Sequence, residues 1–152
     1  MPTDSNLVYR VDDDTPSRAL RFDEIEVGQA VVQRVVFDAE ALDHFRHLAK
    51  DRAPVHEDAR FARTAGFEDR IVQGLAVSTR FSRLIGMYLP GERAILGSIE
   101  LAYHRPVYAG RELEYQCTVE RLLPPMRVVQ MSLSVSMDAL THVSGRCRCV
   151  VR

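Results

Sequence analysis

From Val72 to about Tyr88 the chain carries apolar or small side chains at almost every helical angle. Leu75, Ala76, Thr79, Phe81, Ser82, Leu84, Ile85 and Tyr88 leave only a narrow polar stripe, which holds Arg80 and Arg83. A helix with so little polar surface must be enclosed on most sides, and a curved sheet wrapped around it does that. The two arginines also make the stretch from Ile71 to Leu89 a buried helix rather than a membrane span. Leu89-Pro90-Gly91 stops it.

Beyond that stop the periodicity changes from helical to alternating. Residues 94–104, 112–122, 128–137 and 143–151 read as strands, separated by Pro106, Gly110, Pro124-Pro125 and Gly145. The phase of the third is mixed at Val128, Gln130, Leu133 and Val135. Upstream, the valine-rich run 30–37 is a first strand. Asp38 is placed to cap a helix over 39–50. A second short helix, 57–65, is expected to turn Phe61 and Ala62 inward and to end at Gly66. Residues 1–20 are polar and acidic and read as a leader that is flexible or at best loosely docked, so the folded domain spans 21–152. Strand, short helices, one long helix and four strands make an α+β domain. The strand–helix alternation of a parallel nucleotide-binding sheet is missing, as is a glycine-rich phosphate loop.

A formal net charge of -1 gives no field that favours nucleic acid or an anionic membrane. Residues 1–18 lack the basic start and apolar core of a signal peptide. The cysteines are three, Cys117, Cys147 and Cys149, an odd count that fits reduced thiols in a cytoplasm. Cys147 and Cys149 share a strand face, but no nearby His or acid completes a metal set, so no metal is expected.

The chemistry-bearing stretch is Lys50-Asp51-Arg52-Ala53-Pro54-Val55-His56. Five positions along a regular helix would turn Asp51 and His56 apart, whereas a loop bent at Pro54 can aim both at one small volume. A carboxylate and an imidazole that share a water are the minimal apparatus for adding or removing water across a bond. The same spacing is also common among ordinary solvated loop residues.

Several ordered pieces of the chain resemble the MaoC-like hot-dog proteins, which include R-specific enoyl-CoA hydratases. The likeness begins at Phe22-Asp23-Glu24-Ile25-Glu26-Val27-Gly28 and runs to the C-terminus. Asp51-Arg52-Ala53-Pro54-Val55-His56 is similar to the hydratase signature Asp-any-Asn-Pro-any-His. Phe61-Ala62 and Gly66-Phe67 follow, and Ile71-Val72-Gln73-Gly74 resembles the family's Ile-(Val/Ala)-His-Gly. Arg105-Pro106-Val107 with Gly110 resembles its Pro-Val turn. Two positions depart from the pattern: Ala53 stands for the asparagine and Gln73 for the histidine. Alanine forms no side-chain hydrogen bond, and a glutamine bonds but does not titrate.

The resemblance implies a hot-dog fold, an antiparallel sheet wrapped around the long central helix. It implies that Asp51 and His56 hold the catalytic water and that Gly74 offers its N–H to a thioester oxygen. Gln73 and Ser82 are implied to line the substrate pocket. It further implies an acyl-CoA or acyl-carrier-protein thioester as substrate, no cofactor, and a homodimer with pockets near its interface. The expected activity is the interconversion of trans-2-enoyl and 3-hydroxyacyl thioesters. A thioesterase and a non-catalytic acyl-binding module are the alternatives, the latter suggested by Ala53 and Gln73. Arg80 and Arg83 either reach a CoA phosphate or form a solvent or interface stripe.

Overall fold

A computed structural model describes residues 7–152. Among these residues the α-helices and strands are, in order, β1 (Val8–Val11), β2 (Ala30–Val36), α1 (Ala39–Ala49), α2 (Pro54–Glu57), α3 (Ala59–Thr64), α4 (Gly74–Met87), β3 (Ala94–Tyr103), β4 (Glu112–Leu123), β5 (Val128–Met137) and β6 (Leu140–Val151). The strands form one sheet in the order β1-β2-β4-β5-β6-β3. Only β1 and β2 pair in parallel; every other pair is antiparallel. This is the expected α+β arrangement, a sheet curved onto a long helix. Among the described residues, no helix is long and apolar enough to cross a membrane.

The sheet's inner face explains the curvature. Leu113, Tyr115, Cys117 and Val119 of β4 alternate inward, as do Val129, Met131, Leu133 and Val135 of β5. They meet Ala76, Val77, Phe81, Leu84 and Ile85 of α4. Phe81 and Tyr115 pack edge to face with centroids 5.4 Å apart. The Tyr115 hydroxyl donates to the Val77 carbonyl at 2.7 Å, and burial pushes its phenol well above the ordinary range. The mixed phase expected in β5 is not found: Val129, Met131, Leu133 and Val135 alternate regularly, and the extra residues sit in its neighbours, Glu120 in β4 and His142 in β6.

Several expectations are corrected. The leader is not free from residue 7 onward. β1 adds a strand beside β2, and the following residues lie across α4. Asp13 accepts from buried Gln33 at 2.9 Å and lies 3.4 Å from Arg80. Arg83 donates to the Asp13 carbonyl at 2.9 Å, and the Tyr88 hydroxyl to the Thr15 carbonyl at 2.9 Å. Arg80 and Arg83 are therefore occupied by this strap rather than free for a phosphate. We expect Asp13→Ala to lower stability by about 1 kcal/mol, since the Gln33 amide loses its acceptor while the aspartate itself is largely exposed. Urea denaturation measures the change.

α4 is also less enclosed than its sequence suggests. Leu75 is 71% exposed, and Thr79 and Ser82 are exposed on the same side. Phe61 is 49% exposed, so only Ala62 of that pair turns inward. Gly145 is not a break; it lies within β6, opposite Leu101. A methyl carbon there would sit 2.0 Å from the Glu100 carbonyl oxygen, so only glycine lets β3 approach. The β5–β6 hairpin instead turns at Asp138 and Ala139, with φ of 50° and 62°.

All three cysteines are buried and free. Burial pushes the Cys117 thiol well above its ordinary range. The native protein is expected to leave these thiols unmodified by a thiol-reactive dye, and the unfolded protein to titrate all three. Rapid labelling of native protein would contradict that burial.

Candidate active site

Asp38 starts the segment that builds the site. Its side chain accepts from the Ala41 N–H at 2.8 Å and so caps α1, which ends in the left-handed conformation at Lys50 with φ 57°. The chain therefore reverses directly before Asp51. Asp51 Oδ1 accepts the Ala53 N–H at 3.0 Å, a tight aspartate turn that fixes the carboxylate. Pro54 then opens α2 at its first position, where a missing N–H has no consequence. The stretch is thus a turn followed by one helical turn, with His56 on the helix rather than in a bent loop. Ala53 is the N-cap of α2 and gives no side-chain cap, so the aspartate turn does the local fixing.

The aspartate turn leaves Asp51 Oδ2 facing His56, 3.8 Å from Nε2. That gap is too long for a direct hydrogen bond and short enough for one water to contact both atoms. Asp51 is 38% exposed at its side chain and His56 only 14%. His56 Nδ1 lies 2.8 Å from the Ile71 carbonyl. A carbonyl only accepts, so the proton of the neutral ring sits on Nδ1, and Nε2, the atom near Asp51, carries the lone pair. The Ile71 carbonyl is itself held in place. Ile71 N–H bonds Val55, and Val72 N–H bonds Val107 at 2.7 Å.

Two cavities meet at His56, Ile71 and Val72. One, of about 300 Å³, is walled mainly by apolar groups, including Phe67, Val77, Tyr103 and Val107, and contains Gly74. The other, of about 320 Å³, has a wall of mixed polarity and carries Asp43, Arg46, Glu57 and Gln73. Arg46 pairs there with Asp43 at 2.9 Å and Glu57 at 3.5 Å. Gln73 is 6% exposed and is the N-cap of α4, but its side chain does not cap the helix. The first turn of α4 therefore presents N–H groups without a side-chain acceptor, beside the apolar cavity that Gly74 lines.

Of the residues expected from sequence, Asp51 comes within 3.8 Å of His56 but is not itself in the wall of either cavity, Gly74 shares a cavity with His56, and Gln73 borders the second cavity behind it. Ser82 does not join them. It is exposed and lines neither cavity. The helix serine nearest the site is Ser78, whose hydroxyl donates to the Gly74 carbonyl at 3.0 Å. The sequence signal for it was its position four residues after the glycine that opens the helix, the spacing of such back-bonds. His142 is buried, with Nδ1 bonded to the Pro106 carbonyl at 3.0 Å, and supports the loop that walls the apolar cavity.

Comparison with known proteins follows the same lines. The chain is 36% identical over 98 residues to an (R)-specific enoyl-CoA hydratase of Aeromonas caviae, spanning 64% of this chain and 73% of that protein. It is 37% identical over 89 residues to a mitochondrial 3-hydroxyacyl-[acyl-carrier-protein] dehydratase of Arabidopsis thaliana, a match covering 59% of this chain but only 52% of the plant protein. A 3-hydroxybutyryl-CoA dehydratase of Methylorubrum extorquens is 29% identical over 128 residues, covering 84% of this chain and 82% of that one. The solved structure of the Aeromonas caviae (R)-hydratase superposes with a TM-score of 0.80 at 29% identity, over 84% of this chain and 98% of that one. The architecture is thus the hot-dog fold. The MaoC-like domain model matches residues 21–141, and the chain belongs to that family.

Proposed function

We propose that this protein is a lyase that hydrates trans-2-enoyl thioesters and dehydrates 3-hydroxyacyl thioesters. The observation that carries the reading is the Asp51–His56 geometry, a 3.8 Å gap between Oδ2 and Nε2, with Nδ1 engaged by the Ile71 carbonyl so that Nε2 is the ring nitrogen left to accept a proton. A water beside that gap, within hydrogen-bond reach of both atoms, is oriented by Asp51 Oδ2. His56 Nε2 removes one of its protons as its oxygen bonds to the β carbon. The C2–C3 double-bond electrons move towards the thioester, whose oxygen becomes negative. The Gly74 N–H, at the positive end of α4, stabilises that charge. The proton on His56 then passes to C2, so the water's atoms are all accounted for, and dehydration is the reverse. Gln73 borders the adjoining cavity, which meets this one at His56, and carries a bonding group that does not titrate. The relatives' activities support the assignment of both CoA and carrier-protein thioesters as candidate substrates.

A homodimer fits the open surfaces. β3 is an edge strand, and Ile95, Leu96, Ile99 and Tyr103 are 53%, 42%, 41% and 47% exposed. With Leu75 of α4 they form apolar surface that a second copy would cover. Ser82, about 12 Å along α4 from Gly74 at the usual rise per residue, would meet substrate only where a second copy closes over that face. Ile99→Asp is expected to convert dimer to monomer, with light scattering as the measure; a parent-like mass would sink the β3 interface. The buried free thiols support a reducing compartment, and we place the enzyme in the cytoplasm.

The deciding assay follows a panel of enoyl thioesters by two signals, loss of the conjugated-thioester absorbance and release of free thiol. Absorbance loss without thiol is expected. Thiol release at the same rate would make the protein a thioesterase, and binding without either signal would make it an acyl-binding module.

A further inference from the structure

The glycine that opens α4 is held from outside by two side chains that the hydration chemistry does not use. Tyr103, near the end of β3, lies with its ring against Gly74. A methyl carbon built on Gly74 would be 3.0 Å from Tyr103 Cε1, 3.3 Å from Cζ and 3.4 Å from Cδ1. The Tyr103 hydroxyl is 2.5 Å from Ser78 Oγ, and Ser78 Oγ donates to the Gly74 carbonyl at 3.0 Å. A carbonyl only accepts, so the serine proton is committed to Gly74, and the tyrosine must be the donor in the first bond. The chain runs one way, from Tyr103 through Ser78 to Gly74.

Glycine has the widest backbone freedom of any residue, so nothing in Gly74 itself fixes where its N–H points. Nor does a cap, since Gln73 gives none. The Val77 N–H holds the Gln73 carbonyl at 3.0 Å and so restrains the peptide plane that carries the Gly74 N–H, and the ring on one side and the serine on the Gly74 carbonyl add a second constraint. We propose that Tyr103, acting through Ser78, is a positioning residue that sets the direction of the Gly74 N–H in the apolar cavity. This rests on the reading of that N–H as the donor to the thioester oxygen.

Tyr103→Phe keeps the ring on Gly74 and removes only the hydroxyl. Ser78→Ala removes the link, and Ser78→Thr retains a hydroxyl at the same place. In enoyl-thioester hydration, Tyr103→Phe and Ser78→Ala should each lower kcat about five- to tenfold, a part of the loss seen when such a donor is removed outright. KM should stay within about twofold of the parent, because the interaction matters most at the charged transition state. The double variant should be no slower than either single one, since the chain is already broken once. Ser78→Thr should recover the parent rate.

A second readout does not need turnover. In free protein, the Gly74 amide resonance should move in Tyr103→Phe and Ser78→Ala, while those of Phe81 to Met87 stay in place. A parent-like kcat with an unmoved Gly74 amide overturns the proposal, as does a strictly additive double variant with resonances moving throughout α4. If the parent hydrates no enoyl thioester, the functional reading fails, and the amide shift alone decides whether Tyr103 positions Gly74.

Discussion

His56→Ala should lower enoyl-thioester hydration by about a hundredfold or more, the usual scale of general acid–base catalysis. The size follows from how completely the ring is committed. Nδ1–H is held by the Ile71 carbonyl at 2.8 Å, so the ring neither flips nor changes tautomer without losing that bond. Only Nε2 is left to take a proton, and it already faces Asp51 Oδ2. Asp51→Asn is expected to cost as much by a different route. Its side-chain oxygen can still accept the Ala53 N–H, so the turn survives. An NH₂ group then stands where Oδ2 stood, pointing a donor at the His56 lone pair and competing with the water. The double variant should be little slower than either single one, because both act on one water. Loss of the Ile71 bond in His56→Ala should lower stability by only about 1 kcal/mol, a small shift in melting temperature. Steady-state kinetics on folded variants are the measure, and parent-like rates in both would remove Asp51 and His56 from the mechanism.

The sequence carried the order of elements because α4 and the later strands have strong, opposed periodicities. The Asp38 cap was legible for a similar reason: a capping side chain acts within three residues of itself. What escaped was set by distant partners. β1 is four residues in an acidic segment, and its strand state comes from parallel pairing with β2, which local pattern does not encode. Pro54 read as a loop breaker because its two roles, ending one helix and opening the next, have the same local signature. Gly145 read as punctuation although it admits the close approach of β3. Leu75 and Phe61 read as inward-facing because hydrophobicity alone does not tell a core from a surface awaiting a second copy. At the site, the pair Asp51 and His56 was legible from spacing, but the tautomer was not. It depends on the Ile71 carbonyl, fifteen residues beyond His56. Family position named Ser82, and geometry brought Ser78 to Gly74 instead.

Gly74→Ala should lower kcat by between about tenfold and a hundredfold while leaving the fold intact, a large part of the effect of removing an oxyanion donor. The added methyl carbon meets the Tyr103 ring at 3.0 Å, closer than most such contacts. Either the ring moves by a few tenths of an ångström or the first turn of α4 rotates away. Both outcomes change where the residue 74 N–H points in a cavity that Gly74 and Tyr103 share with His56. Stability should hardly fall, because alanine is favoured over glycine in a helix by about 1 kcal/mol, which offsets the crowding. That opposition makes the variant informative: a rate lost with the melting temperature kept is a positional defect, not an unfolded site. Shrinking the neighbour tests the cause. Gly74→Ala combined with Tyr103→Leu relieves the contact but also removes the hydroxyl chain through Ser78. Its rate should therefore rise above that of Gly74→Ala only to the level of Tyr103→Phe. If Gly74→Ala turns over like the parent, the thioester oxygen is stabilised elsewhere, and the start of α4 is a packing feature alone.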